Sequence, residues 1–337
     1  MKILVAPLNW GLGHASRCVP LVHRFLEEGH EVILGGDGES LTLLRKHFPK
    51  LRYVYLAPLS LRYSKGRSQV GAVLCALPKL VVWAMKDHAI LKAVLKEEHI
   101  DRVVSDNRFG LYSLQTECIY MTHQLHIMLP KGWKWLESLA ARLHARIYTR
   151  YNKVWVPDYK EAEHNLSGEL GHIANPAATV EYIGPLSRFD RRIRNNRSDR
   201  NTLNTLNTLN YEVVAVLSGL EPHRTMLEKE LLARYQDTEQ SVLIVQGLVN
   251  RPNTRIQRGR IRIVPHMDDG ELAAALTGAK HIIVRSGYST IMDLNALGLL
   301  DAKRMDQSVQ IELIPTPGQP EQEYLAARFL EKNEEKC

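Results

Sequence analysis

The sequence predicts an α/β protein built from two parallel-sheet halves that face one another across a cleft. Three observations predict it. Short apolar runs, too short for helices and suited to buried parallel strands, alternate with longer stretches of helical spacing. The alternation stops at a polar, repetitive interval near residue 200 and then starts afresh. Each half also carries a glycine turn between a strand and a helix N-terminus, where open parallel sheets collect their ligands. With 337 residues the chain has room for two domains.

The first strand starts at Ile3 and runs into Asn9-Trp-Gly-Leu-Gly-His-Ala-Ser-Arg17. Helical spacing follows over residues 15–28, with Val19, Val22, Phe25 and Leu26 as the apolar positions. The start of a helix offers unpaired amide N–H groups and the positive end of its dipole. Gly11 and Gly13 let a ligand approach the backbone, and His14 stands at the mouth of the turn. This reads as half of an active site. A dinucleotide turn is the alternative, but Ser16 occupies the third glycine position and a bulky histidine intrudes. A glycine turn with an incidental histidine, serving only the scaffold, is the other alternative.

Gly29-His30-Glu31 stops the helix and opens a second strand through Leu34. A helix over residues 40–47 and a third strand over 51–56 follow. From residue 57 to 86 the alternation breaks. Arg62, Lys65, Arg67, Lys79 and Lys86 interleave with apolar runs at 72–77 and 80–85, and Pro78 is expected to bend any helix there. The stretch is either a core helix or a surface segment that presents apolar side chains and lysines to a bilayer interface. Alternation resumes with a helix at 90–98 and a strand at 102–105, whose carboxyl end carries Asp106 and Asn107. The next strand, 118–121, runs into Thr122-His-Gln124. Residues 131–153 are amphipathic and basic, with Arg142, Arg146 and Arg150 at helical spacing and Trp133, Trp135, Leu139 and Leu143 elsewhere. They form a solvated charge face or a membrane-facing helix. A sixth strand ends this half at 153–156.

Residues 188–200 are dense in arginine and asparagine, and Asn-Thr-Leu repeats three times over 201–209. Such a stretch cannot bury a core. The expected division is therefore a domain at 1–186, a linker or mobile loop at 187–210 and a second domain at 211–337. The second series has strands at 213–217, 242–246, 261–264, 281–284 and 312–315. The first ends in Ser218-Gly219 and precedes a helix that Pro222 can start. The fourth ends in Arg285-Ser-Gly-Tyr-Ser-Thr290, a second glycine turn with hydroxyls, an arginine and a helix beginning at 291. Phosphate suits such a turn best.

Composition narrows the function. Hydrophobic content of 45% and charged content of 24% are those of an ordinary globular protein. No apolar run reaches the roughly 18 residues that span a bilayer, and no signal peptide is visible. Cys18, Cys75, Cys118 and Cys337 have no metal or disulfide spacing, which suits a reduced, cytoplasmic compartment. The 14 histidines lack metal-pair spacing. A net charge of +7 points to an anionic partner. Nucleic-acid signatures are missing, so no nucleic acid is expected.

Several of these motifs occur together in one family. Gly-Leu-Gly-His-Ala-Ser-Arg17, Gly29-His-Glu-Val32, Ile183-Gly-Pro-Leu-Ser-Arg188, Arg285-Ser-Gly-Tyr-Ser-Thr-Ile-Met-Asp293 and Glu321-Gln322 follow in order. On these the chain resembles the two-Rossmann (GT-B) glycosyltransferases, closest to the group of the lipid II N-acetylglucosaminyltransferase and the diacylglycerol sugar transferases. The resemblance spans nearly the whole chain and implies two Rossmann-like domains. It implies a nucleotide-sugar donor, most simply a UDP-sugar, on the second half. Ser218, Gly219, Ser286, Gly287, Ser289 and Thr290 would meet the diphosphate, with Arg188 adding charge and Arg285 opening the same donor-binding turn. Asp293 would take the ribose hydroxyls, His266 and Met267 the base, and Glu321 and Gln322 the sugar or ribose. No cofactor or divalent metal is required, because helix ends and hydroxyls stabilise the departing diphosphate.

The acceptor would lie on the first half, against Gly11, Gly13, Asn107, His123 and Gln124. His14 is the expected base of an inverting transfer, with Asp106 as a second candidate. A cell-envelope glycan or lipid-linked acceptor fits the basic, apolar segments, which would touch an anionic membrane from its cytoplasmic face. A UDP-sugar 2-epimerase, or a nucleotide-sugar binder without turnover, would share the architecture. The epimerase would need a denser set of carboxylates than this chain offers.

Overall fold

The computed structural model describes residues 1–59, 70–190, 211–219, 221–300 and 309–334. The Asn-Thr-Leu repeat, Arg62, Lys65, Arg67 and Cys337 lie outside these residues. The chain divides into two compact units. One comprises Met1–Leu186 with Gly318–Glu321, and the other Ser187–Pro317 with Gln322–Cys337.

In the first unit the strands are β1 (Lys2–Pro7), β2 (Glu31–Gly36), β3 (Tyr53–Tyr55), β4 (Arg102–Asp106), β5 (Glu117–Met121), β6 (Lys153–Val156) and β7 (Val180–Tyr182). They form one sheet in the order β3-β2-β1-β4-β5-β6-β7, and every pairing is parallel. Parallel strands are covered on both faces, which is why Ile3, Leu4, Val5 and Ala6 are all fully buried. The helices are α1 (Leu12–Glu27), α2 (Gly38–His47), α3 (Val70–Glu97) and α4 (Glu137–Tyr148). Leu4, Ala6, Ile33, Val103 and Tyr120 form one cluster with Leu91 of α3 and Tyr148 of α4.

Two local expectations are corrected here. The helix expected at 90–98 begins at Val70: α3 runs through Pro78 and joins the interval before residue 86 to it. Its tertiary contacts outweigh the lost backbone bond. Trp83 is buried and donates its indole N–H to the Ala57 carbonyl at 2.8 Å, and buried Asp87 accepts the Ala57 amide at 2.9 Å. Leu77, Val81, Val82 and Met85 remain exposed. The helix is thus core on one face and apolar surface on another. Arg150 lies beyond the end of α4 and donates to the Tyr112 hydroxyl at 3.2 Å, so it does not extend the face of Arg142 and Arg146.

The second unit holds β8 (Val213–Val216), β9 (Val242–Val245), β10 (Ile256–Arg258), β11 (Ile261–Val264), β12 (His281–Val284) and β13 (Gln310–Leu313). The order is β10-β11-β9-β8-β12-β13, with only the β10–β11 pair antiparallel. Helices α5 (His223–Tyr235), α6 (Asp269–Gly278), α7 (Tyr288–Ala296) and α8 (Pro320–Glu334) complete it. One sheet face packs Val214, Leu243 and Val284 with Leu272 of α6 and Leu294 of α7. The other packs Val213, Ala215 and Ile283 with Leu227 and Leu231 of α5. The expected linker changes at its start: Ser187 and Phe189 are buried, and Phe189 joins the second unit's core. Strands β7 and β10 were not expected, because three-residue strands carry too little periodicity to read.

Candidate functional site

In a doubly wound sheet the crevice lies where strand order reverses, at the carboxyl ends of the two strands that diverge. For the first unit those strands are β1 and β4. Gly11 turns the chain from β1 into α1 with φ near 81°, a left-handed conformation open to glycine. The helix starts at Leu12, earlier than the sequence spacing suggests, so Gly13 and His14 form its first turn. Asp106 is the last residue of β4, with a fully buried side chain. Asn107, directly after it, sits in the left-handed region at φ 56° and accepts the Tyr120 hydroxyl at 2.9 Å.

The buried carboxylate of Asp106 gathers the site. His14 Nδ1 lies 3.0 Å from its Oδ1. Arg17, one turn further along α1 and also buried, donates Nε–H to Oδ2 at 2.8 Å and an Nη2–H to Oδ1. Nη2 is 2.9 Å from His14 Nδ1, and Nη1 is 3.0 Å from His123 Nδ1. His123, just beyond β5, places its Nε2 at 2.8 Å from Glu321 Oε1 within the same unit. Burial opposes the charge of Asp106, but Arg17 and His14 hold its carboxyl below the usual carboxylate range. Burial lowers the His14 imidazole; Asp106 pulls it up, and Arg17 and His123 push it down. The net shift is downward, toward the neutral ring, with a carboxylate at hydrogen-bond distance from Nδ1. Gln124 is half-buried, its amide N–H bonded to Thr122 Oγ1 at 3.1 Å.

A second buried arginine holds the loops around this set. Arg108 reaches Asp87 Oδ2 at 2.8 Å, Asp37 Oδ1 at 2.8 Å and the Ala57 carbonyl at 2.7 Å. It thereby ties the ends of β2, β3 and β4 to α3. Gly110 is required beside it, because a Cβ there would collide with the backbone oxygen of Ala84.

In the second unit the order reverses between β8 and β12. Ser218 and Gly219 follow β8, and Arg285, Ser286 and Gly287 link β12 to the start of α7, whose first turn holds Ser289 and Thr290. Asp293, one turn on, accepts the Ser187 hydroxyl at 2.6 Å. Arg188 lies between two carboxylates, 3.6 Å from Asp293 and 3.5 Å from Asp269. Burial pushes Asp293 up to about 6 against the pull of Arg188 and Ser187. Ser286 donates to the Gln322 carbonyl at 2.8 Å, while the Gln322 side-chain oxygen accepts the Thr316 amide at 2.8 Å. His266 and Met267 border a small, open hollow beside β11, together with Arg255, Arg262 and Glu271.

Two assignments change. Arg285 is buried, with its N–H groups on the carbonyls of Pro315 (3.0 Å) and His223 (2.9 Å), so it braces the turn instead of offering charge to a phosphate. Glu321 and Gln322 separate, Glu321 meeting His123 and Gln322 meeting Ser286. Arg17 received no role from the sequence, although its i+3 spacing from His14 places both on one helix face. Among the described residues no group of three or more His, Cys, Asp or Glu side chains is placed to hold a metal ion.

Solved structures with a similar fold include several glycosyltransferases. The glycotransferase of kitacinnamycin superposes with a TM-score of 0.57 at 13% identity, covering 97% of this chain and 83% of that one. The spinosyn rhamnosyltransferase SpnG gives 0.57 at 14% identity, covering 98% and 84%. The chain has the GT-B fold. A UDP-glucosyltransferase from Polygonum tinctorium, at 0.54 and 12% identity, covers 98% and 92%. In sequence, two relatives from Methanosarcina acetivorans are both described as uncharacterized glycosyltransferases. One is 52% identical over 46 residues, 14% of this chain and only 12% of its own length. The other is 23% identical over 97% of this chain and 83% of its own length. No protein-family model matches the chain.

Proposed function

We propose that the protein is an inverting glycosyltransferase, transferring a hexosyl or N-acetylhexosaminyl group from a nucleoside-diphosphate sugar to a hydroxyl. The observation that carries the reading is the His14–Asp106 contact of 3.0 Å at the reversal point of a GT-B sheet. The ring nitrogen opposite that contact would take the acceptor proton as its oxygen attacks the anomeric carbon. The bond from that carbon to the diphosphate breaks, and the nucleoside diphosphate leaves with the electron pair. The second unit's part is electrostatic: the α7 N-terminus and the hydroxyls of Ser289 and Thr290 would favour the anionic leaving group. Asp293 would accept the ribose hydroxyls.

A uridine nucleotide is the donor proposed. The structural relatives include a UDP-glucosyltransferase and a spinosyn rhamnosyltransferase bound to thymidine diphosphate, so both pyrimidine nucleotides belong in the test. A lipid-linked or cell-envelope acceptor is supported by the exposed Leu77, Val81, Val82 and Met85 of α3, beside Lys79 and Lys86, and by exposed Trp135 and Leu139. Among the described residues no helix is long and apolar enough to cross a membrane, so contact would be peripheral.

The deciding experiment follows nucleoside-diphosphate release from UDP-glucose and UDP-N-acetylglucosamine, with extracted envelope lipids as acceptor. His14→Ala should lose 100-fold or more in kcat, a loss on the order of that expected for a general base, and keep its melting temperature. Wild-type turnover in that variant would remove His14 from the mechanism. Isomerised sugar nucleotide formed without acceptor would establish an epimerase in place of a transferase.

A further inference from the structure

The cluster around Asp106 contains a group that the proposed mechanism has not used. Arg17 is 1% exposed, and each of its guanidinium nitrogens has a partner. A carboxylate as deeply buried as Asp106 needs a fixed countercharge, and the planar fork of arginine grips both of its oxygens. Arginine has donors and no acceptor. Its Nη1–H must therefore donate into the lone pair of His123 Nδ1, which puts the His123 proton on Nε2, facing Glu321. His14 Nδ1 has two neighbours with opposite demands: Asp106 Oδ1 at 3.0 Å can only accept, and Arg17 Nη2 at 2.9 Å can only donate. A proton on Nδ1, directed to Asp106, leaves the Nε2 lone pair available as a base. A lone pair on Nδ1, filled by Arg17, puts the proton on Nε2 and removes the base.

We infer that Arg17 is a positioning residue of the His14–Asp106 pair, setting both the proton affinity of His14 and the ring nitrogen that carries its proton. The inference rests on the reading of His14 as a base. By holding both oxygens, Arg17 offsets the attraction that Asp106 exerts on a second proton at His14, and it repels that proton directly. Among the described residues, the charged or titratable groups that face His14 are Asp106 from β4, Arg17 from its own helix, His123 beyond β5 and Glu321. Arg17 is the only permanent cation among these four. Without it, two carboxylates face the imidazole and hold a proton there to higher pH, against the pull of burial.

The test is the histidine ring ¹⁵N spectrum of the full chain against pH, with His14 assigned from the His14→Gln spectrum. In Arg17→Gln the His14 midpoint should rise by about one pH unit or more, the usual reach of a lost adjacent charge. The acid limb of the pH–rate profile should rise with it. Arg17→Lys guards against a glutamine variant that fails to fold. An ammonium keeps the charge but loses the fork, so the His14 ¹⁵N shifts should move toward mixed tautomers. Folded variants with wild-type His14 midpoint and shifts would overturn the inference. If the midpoint moves as stated while His14→Ala retains turnover, the positioning role stands and the base reading fails. If His14→Ala is inactive and the midpoint does not move, the reverse holds.

Discussion

At the scale of single residues, the candidate donor surface is held at a cost to stability. Asp293 is largely shielded from solvent on α7, with its carboxyl raised from 3.8 to about 6. Such a group binds its proton more tightly in the fold than in the unfolded chain. Its contribution to stability is complete below the unfolded value near 4 and is lost as pH rises through 6. At neutral pH the loss is on the order of 2–3 kcal/mol. Asp293→Asn should therefore melt higher than the wild type at pH 7.5, with the gap closing near pH 4.5. The same variant should lose the stabilisation that a nucleotide confers, because an amide makes a weaker acceptor for ribose hydroxyls. Equal melting temperatures at both pH values would show that Arg188 and Ser187 already compensate the charge. Asp106 behaves in the opposite sense. Its depressed carboxyl contributes stability above the unfolded value, and that contribution disappears as acid protonates it. The two aspartates thus give the protein pH dependences of opposite slope. The sequence offered both as candidates, His14 and Asp106 for the acceptor side and Asp293 for the donor side. It could not supply Arg17, because a lone arginine on an amphipathic helix reads as surface until the strand that opposes it is known.

At the scale of elements, the longer strands are legible because burial on both faces leaves an unmistakable apolar run, whereas helix starts such as Leu12 and Tyr288 lie ahead of their apolar spacing. The failures have a common physical origin. The start of α3 lies at Val70, well ahead of the residue 90 that the local spacing shows, because Trp83, Asp87 and Leu91 hold the helix against loops distant in sequence. Arg285 was read by its charge, yet burial and three backbone carbonyls decide its role. The exposed face of α3 carries its own prediction. Leu77, Val81 and Met85 repeat every fourth residue and stay exposed beside Lys79 and Lys86. An interfacial helix buries such a stripe at the headgroup boundary and adds attraction to anionic lipid. Cosedimentation with phosphatidylglycerol vesicles should fall at least tenfold in a Val81→Glu, Met85→Glu double variant, with the melting temperature unchanged because both side chains face solvent. Binding unaffected by these charges would move the membrane contact away from α3 or remove it altogether.

At the scale of the molecule, the two sheets repeat one logic. Each places its candidate residues beyond the strands where the order reverses, β1 and β4 in one unit, β8 and β12 in the other. That repetition was readable from two glycine turns in one chain, and a GT-B fold is what it produces. Fold similarity at 12–14% identity leaves the donor to be found by binding. Ligand affinity for the folded state raises stability by RT ln(1 + [L]/Kd), about 2.7 kcal/mol at a hundredfold excess over Kd. For domains of this size that shifts melting by roughly 5–10 °C. UDP and UDP-sugars should give such a shift, with thymidine diphosphate weaker. EDTA should leave the shift unchanged, because the proposed leaving-group stabilisation comes from α7 and its hydroxyls. A shift with thymidine diphosphate alone would change the nucleotide and keep the donor surface. A shift that vanishes with EDTA would place a cation in the complex. No shift with any nucleotide would remove the donor role of Asp293 and the α7 turn, and leave His14 with no leaving group to act against.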